Sequence, residues 1–153
     1  MGGRYALLPA CVTLAFGILL SVADYQWAKA YSGFSEYAVS RAYAPGYFTG
    51  HFGFQYYMEK EGFSPLEVHK SPAKGLNYLI IPRYPDAQKP GVELLERLEF
   101  VEYRKIDGAF PPLRVMDPRE HAGFYSSFWG ILPFNFAADP LDEFLVYRIK
   151  QGS

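Results

Sequence analysis

Cysteine is nearly absent: Cys11 stands alone among 153 residues, so no intramolecular disulfide can staple the fold. The three histidines, His51, His69 and His121, show neither HxH nor HxxxH spacing, and a turn separates His51 from Glu59, so no metal is expected. The glycines at 46, 50 and 53 spell GxxxGxxG, not GxGxxG, and no acidic residue follows at the distance a ribose needs. Nucleotide cofactors therefore have no fingerprint here. Ser35, Ser126 and Ser127 lack a GxSxG setting, which removes the serine-hydrolase reading. Charge is also sparse: 20% of residues carry it, the net value is −1, and lysines and arginines alternate with acids. That balance excludes a nucleic-acid partner and a polybasic membrane patch. No internal repeat or low-complexity linker is present.

What the chain does have is one long apolar run. Residues 5 to 23, YALLPACVTLAFGILLSVA, contain no charge and as a helix would span about 28 Å, close to the hydrocarbon thickness of a bilayer. Arg4 closes one end and Asp24 the other. Three readings of this run stay open: a signal anchor, a cleavable signal ending at Ala23, and the last span of a polytopic protein. Flanking charge does not orient it, because Arg4 precedes it while Lys29 and Arg41 follow. Residues 24–153 form the remaining unit, read as one domain with a modest core.

Aromatics are abundant, at 18% of residues, with Tyr and Phe far outnumbering the two Trp. They suit a Tyr-rich core beside a membrane, and Arg4, Tyr5, Trp27, Tyr125 and Trp129 are the expected interface residues. The segment 124–137, FYSSFWGILPFNFA, holds Gly130 and Pro133 and is too irregular to span; it fits either an interface surface or core-lining strands.

Beyond the run, Asp24 is a fit helix cap, and Trp27, Tyr31, Phe34, Ala38 and Arg41 follow at helical spacing. An amphipathic helix is predicted over 24–42, ending before Pro45-Gly46, with its apolar face on a sheet. Residues 46–53 read as a short strand opening into a glycine turn, and 54–61 as a helix stopped by Gly62. Strands are predicted over 76–82, 98–106, 113–116 and 143–149, with a short helix over 92–97 and loops at 83–90 and 107–112. The fold class is α/β, with α+β as its near variant: one transmembrane helix, an amphipathic helix and a small sheet of about four or five strands.

Three segments carry a resemblance. Gly3-Arg-Tyr-Ala-Leu-Leu-Pro9 resembles the entry into the last transmembrane helix of GT-C membrane glycosyltransferases. Residues 50–59, GHFGFQYYME, resemble the GHWGFQYYxE segment that follows that helix, with Phe52 where Trp is commoner. Residues 122–134, AGFYSSFWGILPF, resemble their C-terminal AGFYSxxWGxLPF. The family is the bacterial branch of glycosyltransferase family 39, the dolichyl-phosphate-mannose-protein mannosyltransferase-like proteins. The resemblance implies the last span plus the C-terminal extracytoplasmic domain of a bacterial inner-membrane enzyme. Such enzymes move a sugar from a polyprenyl-phosphate donor to an acceptor outside the cytoplasm. Their essential carboxylates lie in an upstream loop that this chain lacks, so no catalytic residue is expected here. The implied partners are the bilayer, upstream transmembrane segments, and a glycan or the polyprenyl-phosphate-sugar itself.

His51, Gln55, Tyr56, Tyr57 and Glu59 form the densest polar and aromatic cluster and are the candidate substrate-binding residues. Aromatic faces meet sugar C–H surfaces, and amides and carboxylates meet hydroxyls. The same residues fit a turn that merely joins strand to helix. Glu59 and Glu61, two apart on a helix, do not face each other and make no acid/base pair. The alternative function is a self-standing, signal-anchored envelope protein that binds and does not catalyse.

Overall fold

The computed structural model describes residues 3–67, 76–84, 87–108, 110–125, 127 and 129–150. The apolar run and the amphipathic stretch form one helix, α1 (Gly3–Ser40), of 38 residues. Asp24 therefore does not start a second helix. A cap contributes about 1 kcal/mol, less than the backbone bonds a break would sacrifice, and no Gly or Pro near Asp24 stops propagation. Within α1, Leu7–Ser40 is long and apolar enough to cross a membrane, and its most apolar stretch is almost wholly unburied.

α1 ends in a Schellman arrangement. The Tyr43 N–H donates to the Ala38 carbonyl (3.1 Å) and the Ala42 N–H to the Val39 carbonyl (2.9 Å). Ala42 sits at φ 58°, where glycine is the usual occupant.

The other elements follow in order: β1 (Tyr47–Phe48), α2 (Phe52–Lys60), β2 (Ser64–Pro65), β3 (Tyr78–Pro82), α3 (Val92–Leu95), β4 (Leu98–Asp107), β5 (Leu113–Arg114), β6 (Met116–Asp117), β7 (Ala122–Gly123), β8 (Asn135–Phe136) and β9 (Pro140–Ile149). The main sheet has five strands in the order β2-β1-β3-β9-β4. β1 is parallel to both β2 and β3, and β9 is antiparallel to β3 and β4. The α/β class read from the sequence holds.

The chain divides into two compact units, where one domain was expected over 24–153. One comprises Ala28–Asp107 and Pro140–Ser153 and holds the sheet. The other comprises Met1–Trp27 and Gly108–Asp139. The division arises because residues 108–139 leave the sheet between β4 and β9 and pair among themselves.

In the sheet unit, register fixes the two faces. Phe48, Ile80, Val146 and Glu102 lie side by side across the strands on one face; Tyr47, Leu79, Tyr147 and Phe100 lie on the other. The C-terminal half of α1 covers the first face. Phe34 stacks on Phe144 with ring centroids 3.8 Å apart, and Phe54 of α2 meets Tyr31, Phe48 and Phe144. Burying each such side chain stabilises by about 2 kcal/mol. The predicted stripe is thus real at Tyr31, Phe34 and Ala38, all buried, whereas Arg41 is exposed. On the opposite face Leu94 of α3 packs with Tyr47, Leu66, Leu79 and Ile149.

α1 is also tied to β4 by a carboxylate. The hydroxyls of Tyr37 and Tyr43 donate to the two oxygens of Glu102 at 2.5 and 2.7 Å, and the Arg104 guanidinium lies 3.8 Å from the Tyr37 ring centroid. Partial burial alone would raise the Glu102 carboxyl. The two tyrosine hydrogen bonds, with Arg41 and Arg104 nearby, instead hold it below the ordinary glutamate value.

In the second unit, β5 pairs with β8 and β6 with β7. Buried Asp117 accepts from the Arg119 backbone and guanidinium at 3.1 and 3.2 Å, and Arg119 also reaches Asp139 at 3.2 Å. Buried Arg114 donates to the Asp139 carbonyl at 2.7 Å, and desolvation lowers its pKa from the ordinary arginine value. Trp129, one of the expected interface residues, is buried. Tyr125 is exposed and Trp27 half-buried, while the side chains of Arg4 and Tyr5 lie outside the described residues.

Candidate functional site

The chain's three parallel strands all point their carboxyl ends toward one cleft of about 370 Å³. Phe48, Thr49 and Gly50 enter it from the end of β1, and Pro65, Leu66 and Glu67 from the end of β2. Gln88 comes from the loop after β3, and His51 and Gln55 from the start of α2. The crevice beyond the carboxyl ends of parallel strands is where open α/β sheets place ligands, because strand amides and helix N-termini converge there. The volume falls at the lower end of the range for small-molecule sites.

The turn feeding the cleft depends on its glycines. Gly50 has φ 102°, a conformation L side chains rarely adopt, and Phe52 follows at φ 59°. His51, extended between them, is the residue ahead of α2, and its side chain caps none of the helix amides. A Cβ on Gly46 would lie 2.7 Å from the Tyr43 carbonyl, so this glycine permits the close approach that starts β1.

The predicted cluster splits in two. His51 and Gln55 face the cleft, where the Gln88 amide donates to His51 Nε2 at 3.3 Å. Tyr56 is 63% exposed and pairs edge-on with the half-buried Tyr57, centroids 5.2 Å apart, away from the cleft. Glu59 is exposed too, but it holds the Gln55 amide, whose Nε2 donates to Glu59 Oε1 at 2.8 Å. Helical geometry explains the division: His51 and Gln55 lie a turn apart on one side of α2, and Tyr56 points about 100° further round.

Thr49, Leu66, Glu67 and Gln88 were not singled out from the sequence. Thr49 is nearly fully buried, and its Oγ1 has no hydrogen-bond partner among the described residues. His69 and Ser126 lie outside the described residues. Among those described, no three His, Cys, Asp or Glu side chains converge as a metal shell.

A second unusual group lies in the core. Asp142 is completely buried; its Oδ1 accepts backbone N–H bonds from Arg83 (3.1 Å), Tyr84 (3.2 Å) and Glu143 (2.7 Å). Desolvation nonetheless pushes this carboxyl up to about 7, against those bonds and the nearby Tyr31 hydroxyl. Asp142 does not line the cleft.

The cleft can hold a small polar molecule. It offers amides at Gln55 and Gln88, an imidazole at His51, a carboxylate at Glu67, and apolar surface at Pro65 and Leu66. No family model, no curated protein and no solved structure matches this chain.

Proposed function

We propose that this chain is the membrane-tethered, C-terminal extracytoplasmic module of a bacterial polyprenyl-phosphate-sugar-dependent glycosyltransferase, and that its cleft binds the acceptor. One observation carries the reading: His51 and Gln55, from the segment resembling GHWGFQYYxE, open together into a cleft at the strands' carboxyl ends. The lining suits a sugar or polyol. Hydroxyl groups need donors and acceptors in one place, and two amides, one imidazole and one carboxylate supply both. The C–H face of a pyranose matches the Pro65 and Leu66 edge. In this role the chain binds and orients, while proton transfer and glycosyl transfer belong to upstream carboxylates. In this reading α1 tethers the module, which lies at the outer face of the inner membrane with further spans of the same protein and the lipid-linked sugar as partners.

The test is a titration of the isotope-labelled full chain in detergent micelles with a panel of methyl pyranosides. Saturable amide shifts at Gly50, His51, Gln55 and Gln88 are expected for at least one sugar, abolished by Gln55→Ala. Shifts confined to exposed Tyr56 and Tyr57, or none, refute a cleft acceptor site. The second reading, a self-standing anchored binder, is favoured by the sheet unit having its own two-faced core; an open frame upstream coding for further spans decides against it.

A further inference from the structure

We infer that the cleft contains an oxyanion subsite, built from the first amides of α2 and the Thr49 hydroxyl, that takes a phosphate or carboxylate group carried by the bound molecule. The inference deepens the acceptor-binding reading and rests on it for the rest of the ligand. α2 has nine residues, no acidic residue in its first turn, and no side-chain cap. Its leading N–H groups therefore keep their attraction for an anion at the end of the helix that meets the cleft.

Thr49 is the independent observation. It is 3% exposed, it lines the cleft, and its Oγ1 has no hydrogen-bond partner among the described residues. Its own N–H is satisfied by the Ile80 carbonyl at 3.0 Å, so the backbone gives the hydroxyl no further task. A buried hydroxyl without a partner is costly and rare, and this one belongs to a residue lining the cleft that His51 and Gln55 enter from the start of α2. A ligand oxygen there would accept from the hydroxyl and the helix amides together. The left-handed Gly50 between Thr49 and His51 lets the backbone come close without a side chain. Glu67 lines the same cleft from the β2 side and opposes a dianion, which favours a singly charged oxyanion.

The experiment titrates the labelled full chain in micelles with inorganic phosphate, with acetate, and with sodium chloride at matched ionic strength. Phosphate or acetate is expected to move the Gly53 and Phe54 amides saturably, and chloride is not. Thr49→Val, which keeps the shape, is expected to weaken that binding about tenfold while thermal stability stays the same or rises. Glu67→Gln is expected to tighten it. Equal oxyanion affinity in wild type and Thr49→Val, or no saturable shift, overturns the subsite. A neutral methyl pyranoside run alongside reports the acceptor reading separately. Sugar shifts without an oxyanion response remove the subsite alone, and an oxyanion response without any sugar shifts removes the acceptor reading alone.

Discussion

Replacing Asp142 with Asn isolates the pH response of the core. Carboxyl groups in an unfolded chain titrate near 3.9, and burial lifts this one to about 7. Because the folded value is the higher, its stabilising contribution is complete below about pH 4 and is lost as pH rises through 7. Over that window the buried carboxyl stays protonated while the unfolded chain gains by ionising in water. The gap corresponds to at most about 4 kcal/mol, or roughly 2 M in a urea midpoint at an ordinary slope. Asn keeps the shape, keeps an oxygen for the three backbone donors, and cannot ionise. Urea titrations of the full chain in detergent, followed by near-ultraviolet circular dichroism at pH 5 and 8, measure the effect. Wild type should lose stability toward pH 8, and Asp142→Asn should be nearly flat. An equal pH slope in both proteins, or a wild type more stable at pH 8, refutes the assignment of this carboxyl.

Glu102 has the opposite sign: its folded value is depressed, so its contribution is present above about pH 4.5 and lost as pH falls below it. Tyr37→Phe and Tyr43→Phe should each cost about 1 kcal/mol at pH 7 and less as Glu102 is protonated at acid pH; an equal cost at both pH values contradicts the carboxylate's role. Gly130→Ala should cost about 3 kcal/mol or more, because the new Cβ would lie 1.9 Å from the His121 carbonyl oxygen; a neutral thermal melt contradicts that packing. Ala42→Gly should stabilise by about 0.5–1 kcal/mol by relieving the left-handed residue that closes α1, and a lowered melting temperature contradicts it. If α1 anchors the chain, as proposed, intact mass of the membrane-extracted protein retains residues 1–23; a species beginning at Asp24 contradicts anchoring.

Local chemistry made the long elements legible in the sequence. The apolar run at 76–82 ends in Pro82 as a strand does, 143–149 alternates, and Gly62 stops α2 with φ 85°. The aromatic stripe at Tyr31, Phe34 and Ala38 identified the face of α1 that covers the sheet. Pairing was not legible. β1 is two residues long, too short for periodicity, and its parallel neighbours are set by distant contacts of Phe48 and Tyr47. The continuity of α1 was hidden because Asp24 satisfies a capping pattern that matters only where the preceding chain is not helical.

The site was half readable. His51 and Gln55 stood out because a glycine turn before a helix exposes them, but Tyr56, Tyr57 and Glu59 were grouped with them by proximity along the chain. The period of α2 turns Tyr56 and Tyr57 away from the cleft and sets Glu59 one turn beyond Gln55, where it binds the Gln55 amide without lining the cleft. Gln88 reaches the cleft from a loop whose sequence has no distinguishing feature, and Thr49 looks like any strand residue until its hydroxyl is seen to lack a partner. Residues 108–139 form a separate unit because their pairs are short and local, a pattern that prolines and glycines obscure in sequence.

The proposed acceptor role of the cleft is tested most directly by kinetics. Transfer from a radiolabelled polyprenyl-phosphate-sugar would be followed in membranes carrying this chain together with the upstream spans that the proposal requires. Gln55→Ala should raise the acceptor KM several-fold with the donor KM unchanged, and Tyr56→Ala, on the exposed side of α2, should leave both unchanged. Wild-type acceptor kinetics in Gln55→Ala, or a loss in Tyr56→Ala alone, would contradict acceptor binding in the cleft.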